Sequence, residues 1–213
     1  MKRRFFTLVE LLLVIVIIAI LAGIAIPVVG GMNRKGKETK ARAEINAIIT
    51  AIKQYEADYG TLPFISDDTP PDDTFITSKD NKDKYDEVME ILMNLRPDGA
   101  DFSSSKKRLG NPKNKRYLDP PSKKVKVGSD EGYYFLDPWG RRYNIALDTG
   151  YDGKVHLKCN DVAGSTKNFG GELVGDDNYL MGKVFVFSYG YKGPAKNIND
   201  AQKNYITSWK TSK

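Results

Sequence analysis

The sequence predicts an α+β protein: a long N-terminal helix, half of it suited to a membrane and half amphipathic, packed on a small antiparallel β-sheet. Three observations carry that expectation. Residues 11–29 contain no charged side chain and are almost wholly aliphatic. Residues 38–59 place apolar side chains at alternating steps of four and three. From Tyr133 onward, short runs of β-branched and aromatic residues are separated by Pro, Gly and Asp turn signals. A helix followed by a run of strands buries its apolar stripe on the sheet those strands form.

The first element is a transmembrane helix over 6–29. About 20 aliphatic residues rising about 1.5 Å each match the roughly 30 Å hydrocarbon core of a bilayer. The run is too long for the apolar part of a secretory signal peptide, and no small-residue cleavage site follows it. Lys2, Arg3 and Arg4 precede it, so the positive-inside rule places the N-terminus in the cytoplasm and the head beyond the inner membrane, in the periplasm of a cell with two membranes. Two residues do not belong in a plain anchor. Glu10 lies at the start of the run, where a carboxylate in lipid costs about 2.5–3.5 kcal/mol. Pro27 removes one backbone donor near the end and bends a helix that continues past it.

The second element is a stalk over 30–60. Gly30-Gly31 and the basic residues Arg34, Lys35, Lys37, Lys40 and Arg42 mark emergence into water. Ala41, Ile45, Ile48, Ile52, Tyr55 and Tyr59 then form one stripe along an amphipathic helix. Gly60 is placed to cap its C-terminus, and Pro63 prevents resumption.

The remainder, 61–213, reads as a periplasmic α+β head. Residues 66–86 form an acidic surface loop containing Pro70-Pro71, and a short helix follows over 85–95 with Val88, Ile91, Leu92 and Leu95 on one side. Residues 96–127 are polar and Lys-rich. Only Tyr117 interleaves with the cations, so the stacking platforms of a single-strand nucleic-acid binder are missing. A solvated loop pairing with acidic neighbours is the expectation, not nucleic-acid binding. Strands are predicted at 133–136, 143–147, 155–159 and 184–188, with turns at Pro138-Trp139-Gly140, Asp148-Thr149-Gly150 and Asp152-Gly153.

Composition narrows the function classes. The chain has 213 residues, 40% of them hydrophobic, and a net charge of +6. Beyond the stalk, that length suits one domain with a modest core. Cys159 is the only cysteine, which excludes an intramolecular disulfide. His156 is the only histidine and has no local partner motif. Gly182-Lys183 is followed by Val184 rather than the Ser or Thr of a phosphate loop, and no G-x-S-x-G occurs. The expectation is a protein that is not an enzyme.

Several of these stretches also carry a family likeness. Lys2-Arg3-Arg4, then Phe6-Thr7-Leu8-Val9-Glu10, then the aliphatic run with Pro27, resemble the N-terminal signal of type IV pilins and type II secretion pseudopilins. The resemblance implies a type IV pilin-like fold with a leader over 1–5. It implies cleavage by a prepilin peptidase between Phe5 and Phe6 and methylation of the new Phe6 amine. Glu10 would neutralise the terminal amine of a neighbouring subunit, and Pro27 would act as a hinge. Phe5 departs from the family, which has Gly or another small residue before the cut.

Three further pieces resemble the major pseudopilin. The Tyr55–Pro63 stretch is similar to the end of its long helix. Asp137-Pro138-Trp139-Gly140-Arg141-Arg142-Tyr143 is similar to its D-P-W-G-x-x-Y turn, whose role is structural: Trp139 offers an apolar cap, and Pro138 and Gly140 set the bend. Phe187-Ser188-Tyr189-Gly190, closing on Ile206-Thr207-Ser208-Trp209, is similar to a loop that in secretion pseudopilins commonly holds calcium. Calcium takes six to eight oxygen ligands. Here Tyr191-Lys192 stand where the family has an acid, and the side-chain oxygens left as candidates are Asn197, Asn199 and Asp200.

The function this resemblance implies is that of a pseudopilin in a type II secretion system, polymerising into a periplasmic pseudopilus that helps export folded proteins. Its partners would be copies of itself, minor pseudopilins, the prepilin peptidase and the inner-membrane secretion platform. Two alternatives stay open. One is a type IV pilin of a surface filament for adhesion, motility or DNA uptake, against which stand the D-P-W-G turn and the missing C-terminal cysteine pair. The other is a membrane-anchored binding domain that never polymerises.

Overall fold

Helix α1 runs from Leu8 to Tyr59. The computed structural model describes residues 7–63, 74–76, 82–100, 110–156, 179–195, 200 and 203–209, with only the backbone described at 24–32, 74–76, 82–84, 156 and 179. Phe5, Phe6, Cys159, Asn197 and Asn199 therefore lie outside the described residues. The chain divides into two compact units, 1–39 and 40–213, which are taken separately.

In the first unit α1 is aliphatic at its start, and its backbone continues as helix through Pro27. Leu8 to Leu21 carry large apolar side chains that are exposed, Leu8 by 79%. Among the described residues no helix is both long and apolar enough to cross a membrane. The described apolar side chains stop at Gly23, short of the roughly 20 residues a span takes. The structure therefore does not establish the transmembrane half of the expected helix. Further along, Arg34 pairs with Glu38 at 2.8 Å across one turn.

In the second unit the rest of α1 behaves as its periodicity predicts. Ala41, Ile45, Ile48, Ile52 and Tyr55 are buried, and Tyr59 packs partly buried against the same core. A residue placed every three or four positions returns to the same side of a helix, so these side chains make one buried stripe. They meet Ile145, Leu147, Val184 and Val186 from the sheet. Gly60 takes φ of +74° and its N–H donates to the Glu56 carbonyl at 2.7 Å, a left-handed cap that a residue with a Cβ adopts less readily.

Among the described residues the main sheet has four antiparallel strands in the order β1-β4-β7-β8: β1 Thr74–Ile76, β4 Asn144–Leu147, β7 Val184–Ser188 and β8 Ile206–Thr207. Two smaller pairs accompany it, β2 Val125–Val127 with β3 Asp130–Gly132, and β5 Lys154–His156 with β6 Tyr179–Met181. Side chains alternate across β4 and β7. Ile145, Leu147, Val184 and Val186 face the helix, whereas Ala146 and Phe185 join a second small core with Val155 and Leu180. Helix α2, Lys82–Met93, contributes Tyr85, Val88, Met89, Ile91, Leu92 and Met93 to the main core.

Three expectations need correction. The stretch 133–136 is not a strand. Its neighbours on the chain, β2 and β3, form a hairpin instead, with Gly128 at φ +66° in the first turn position. Residues 133–136 are fastened from the side: Tyr133 N–H donates to the Pro97 carbonyl at 3.1 Å, and the Tyr85 hydroxyl to the Phe135 carbonyl at 2.8 Å. Second, the acidic stretch 66–86 supplies β1, whose Phe75 lies opposite Ala146 at one edge of the sheet. Third, α2 starts three residues before the expected Tyr85 and ends at Met93, with Asn94 in the left-handed region at φ 50°.

Polar contacts tie α1 to the residues that lead into the sheet strands, Lys183 with Glu56 at 2.6 Å and Tyr143 with Glu44. Tyr143, fully buried, donates its hydroxyl to Glu44 Oε2 at 2.6 Å. Burial first, and then the carboxylate it faces, push this phenol far above its usual range, so it stays a hydrogen-bond donor at any physiological pH.

Candidate functional site

At the start of α1, Thr7 and Glu10 cap the helix reciprocally. Thr7 N–H and Oγ1–H each donate to Glu10 Oε2 at 2.8 Å, and Glu10 N–H donates to Thr7 Oγ1 at 3.2 Å. This is a capping box, which satisfies donors that the first helical turn leaves unpaired. A Thr followed three residues on by Glu is the sequence signal of such a cap.

The D-P-W-G stretch is a β-turn with Asp at the first position, Pro at the second and Gly at the fourth, the places those residues favour. Gly140 N–H donates to the Asp137 carbonyl at 2.9 Å, and Gly140 has φ of +81°. The Asp137 carboxylate is shielded from solvent and fully engaged. Oδ1 accepts from Trp139 N–H at 3.0 Å and Arg141 N–H at 2.8 Å, while Oδ2 accepts the Ser188 hydroxyl at 2.7 Å. Trp139 packs partly buried against the main core, as its bulk suggests.

Ser188 links this turn to the end of β7. Its Oγ accepts from Gly190 N–H at 3.0 Å, and the Arg141 guanidinium donates through Nη2 to the Gly190 carbonyl. The two motifs, fifty residues apart in sequence, thus close one ring of hydrogen bonds: Asp137, Ser188, Gly190, Arg141 and back to Asp137. Gly190 has φ of +68°, and a Cβ there would fall 1.9 Å from the Asn204 carbonyl oxygen. Only glycine fits. Just behind the ring, Arg142 makes a bidentate pair with Asp86 of α2, both contacts at 2.7 Å, and lies over the Tyr134 ring. The sequence motif included Arg141 and Arg142 but could not assign their partners.

The described residues do not make up a calcium site in the loop after β7. The Gly190 carbonyl has two lone pairs, and both are used, by Arg141 Nη2 and by Gly193 N–H at 3.3 Å. Asp137 is committed as described. The carbonyl of Asp200 accepts from Asn204 Nδ2 at 2.6 Å. Among the described residues, no group of three or more His, Cys, Asp or Glu side chains is placed to hold a metal.

The Lys-rich stretch packs onto the end of α1. Asp58 Oδ2 accepts from Lys115 Nζ at 2.7 Å and the Tyr117 hydroxyl at 2.8 Å, and Lys113 Nζ donates to the Asp58 carbonyl at 2.8 Å. Lys113 and Lys115 also lie over the Tyr59 and Tyr117 rings. Among the described residues, Lys113 and Lys115 thus pair with the stalk helix. Lys115 and then Tyr117, by their hydrogen bonds, hold the Asp58 carboxyl below its usual 3.8. A depressed folded-state pKa contributes stability above the unfolded value that is lost as pH falls through the folded one. Acidification below about pH 4 is therefore expected to destabilise the wild type more than Asp58→Asn, as measured by urea midpoints at pH 6 and pH 3. Equal losses in both proteins would remove Asp58 from the acid response.

An open groove of about 930 Å³ lies between residues 40–50 of α1 and the 117–125 and 134–140 segments. Ala43, Ala47, Pro120, Pro121, Val125 and Phe135 give it an apolar lining, and Lys40 and Glu44 stand on the helix side.

These features define an α+β protein in which a long N-terminal helix supplies the core stripe for a small antiparallel sheet, closed by a buried turn-to-loop hydrogen-bond ring. The chain is 40% identical over 62 residues to type II secretion system core protein G of Escherichia coli (strain K12). The match covers 29% of this chain and 43% of that protein, so the chain spans less than half the length of the curated relative it matches. No protein-family model matches the chain, and no solved structure matches it.

Proposed function

We propose that this chain is a pseudopilin of a type II secretion system, closest to the major subunit, and that its work is mechanical rather than catalytic. The observation that carries the reading is the 62-residue similarity to type II secretion system core protein G. The charge-free run, the basic residues before it and Glu10 support it. In this reading the prepilin peptidase removes 1–5 and Phe6 becomes the methylated terminus. The 6–29 helix holds the subunit in the inner membrane until the secretion platform adds it to a periplasmic filament of identical subunits, tipped by minor pseudopilins. The exposed aliphatic side chains from Leu8 to Leu21 are then covered first by lipid and afterwards by neighbouring helices. Intact mass of the membrane-extracted protein tests the processing step. Co-expression with a prepilin peptidase is expected to yield loss of Met1–Phe5 and gain of one methyl group. An uncut chain would leave a membrane-anchored monomer instead.

Glu10 tests assembly. Its capping role and its charge are separable, because Gln can cap as Glu does but cannot neutralise an amine. Glu10→Val and Glu10→Gln are both expected to insert normally and to abolish filaments in a shearing assay. Wild-type filament yield from Glu10→Gln would reduce Glu10 to a helix cap.

A further inference from the structure

The ring joining the D-P-W-G turn to the loop after β7 carries its own positive charge. The guanidinium of Arg141 reaches the Gly190 carbonyl through Nη2, and its Nε lies 3.9 Å from Asp137 Oδ2. A Cβ on Gly193 would come within 2.9 Å of Nη1, so the glycine leaves the space that the guanidinium fills. The cation therefore stands between a carbonyl oxygen and a carboxylate beside the loop, and a calcium ion would need six to eight oxygens in place of these two. Arg is suited to this. It stays charged at all relevant pH and presents a rigid fork of donors.

We propose that Arg141 takes the place of a calcium ion in this loop, so that the 189–195 segment is held by an internal cation and its order does not depend on calcium. The proposal does not depend on filament formation. It makes the head's stability indifferent to the calcium level outside the cytoplasm.

The test uses the full chain in detergent, with unfolding followed by the fluorescence of Trp139 and Trp209. For wild type, the thermal midpoint in chelator and in millimolar calcium is expected to agree within about 1 °C. An ion bound at roughly 100 times its dissociation constant would raise it by roughly 5–10 °C, and a shift of that size would overturn the proposal. Arg141→Ala is expected to lower the midpoint by about 5 °C in chelator and to speed amide exchange at Gly190 and Gly193. Arg141→Lys, which keeps the charge but loses the fork, is expected to recover only part of the loss. An Arg141→Ala protein with unchanged midpoint and unchanged exchange would also overturn the assignment. Terbium luminescence sensitised by the tryptophans supplies a readout free of any variant. No saturable signal is expected from wild type, and a saturable one would count against the proposal.

Discussion

Gly190→Ala is expected to destabilise the head by roughly 4 kcal/mol, the sum of strain from a left-handed backbone and a steric overlap that only backbone movement relieves. The added methyl would lie 1.9 Å from the Asn204 carbonyl oxygen, a main-chain atom that cannot rotate away. Displacing the loop would also break the Gly190 bonds to Ser188 and Arg141. Gly140 provides the internal control. It too has a positive φ, +81°, but a Cβ there meets nothing within 4 Å. Gly140→Ala should therefore cost only about 1–2 kcal/mol, the backbone term by itself. Urea unfolding of both variants separates the effects. Equal losses would show that backbone conformation, and not the approach of Asn204, makes Gly190 necessary.

Arg142→Ala is expected to cost about 3–5 kcal/mol, because it leaves Asp86 with an unpaired charge in a largely desolvated site. The side chains of Arg142 and Asp86 are 9% and 16% exposed and meet through two contacts of 2.7 Å. The pair fastens α2 to the chain just before β4. The same reasoning predicts that Asp86→Asn is nearly as damaging, and that replacing both residues with apolar ones of similar volume recovers much of the loss. A double-mutant cycle on urea midpoints measures the coupling. If the two single losses simply add, the pair is not acting as a buried unit.

Much of the architecture was legible from local pattern. The stripe from Ala41 to Tyr59, the Gly60 cap, the α2 residues Val88, Ile91 and Leu92, and β7 at 184–188 all lie where periodicity put them. The turn at 137–140 follows from residue types at fixed offsets. These features depend on neighbours within about one helical turn or one strand, so a single sequence contains what determines them.

Other features have no local cause. Thr74–Ile76 is a strand because Leu147, Ala146 and Ile145 lie opposite it, and three residues in an acidic stretch show no alternation to read. Conversely, 133–136 has the composition of a strand, but its polar contacts go to Pro97 and Tyr85 instead of a strand partner. Lys113 and Lys115 read as members of a solvated run, yet the fold brings them to Asp58. By itself the sequence determined the helix, its buried face and the residues able to make the key turn. Only the tertiary structure decided which charge meets which: Arg142 with Asp86, Lys115 with Asp58, and Arg141 with the Gly190 carbonyl. Hydrogen bonds and ion pairs act over a few ångströms in space, and distance along the chain does not encode that proximity.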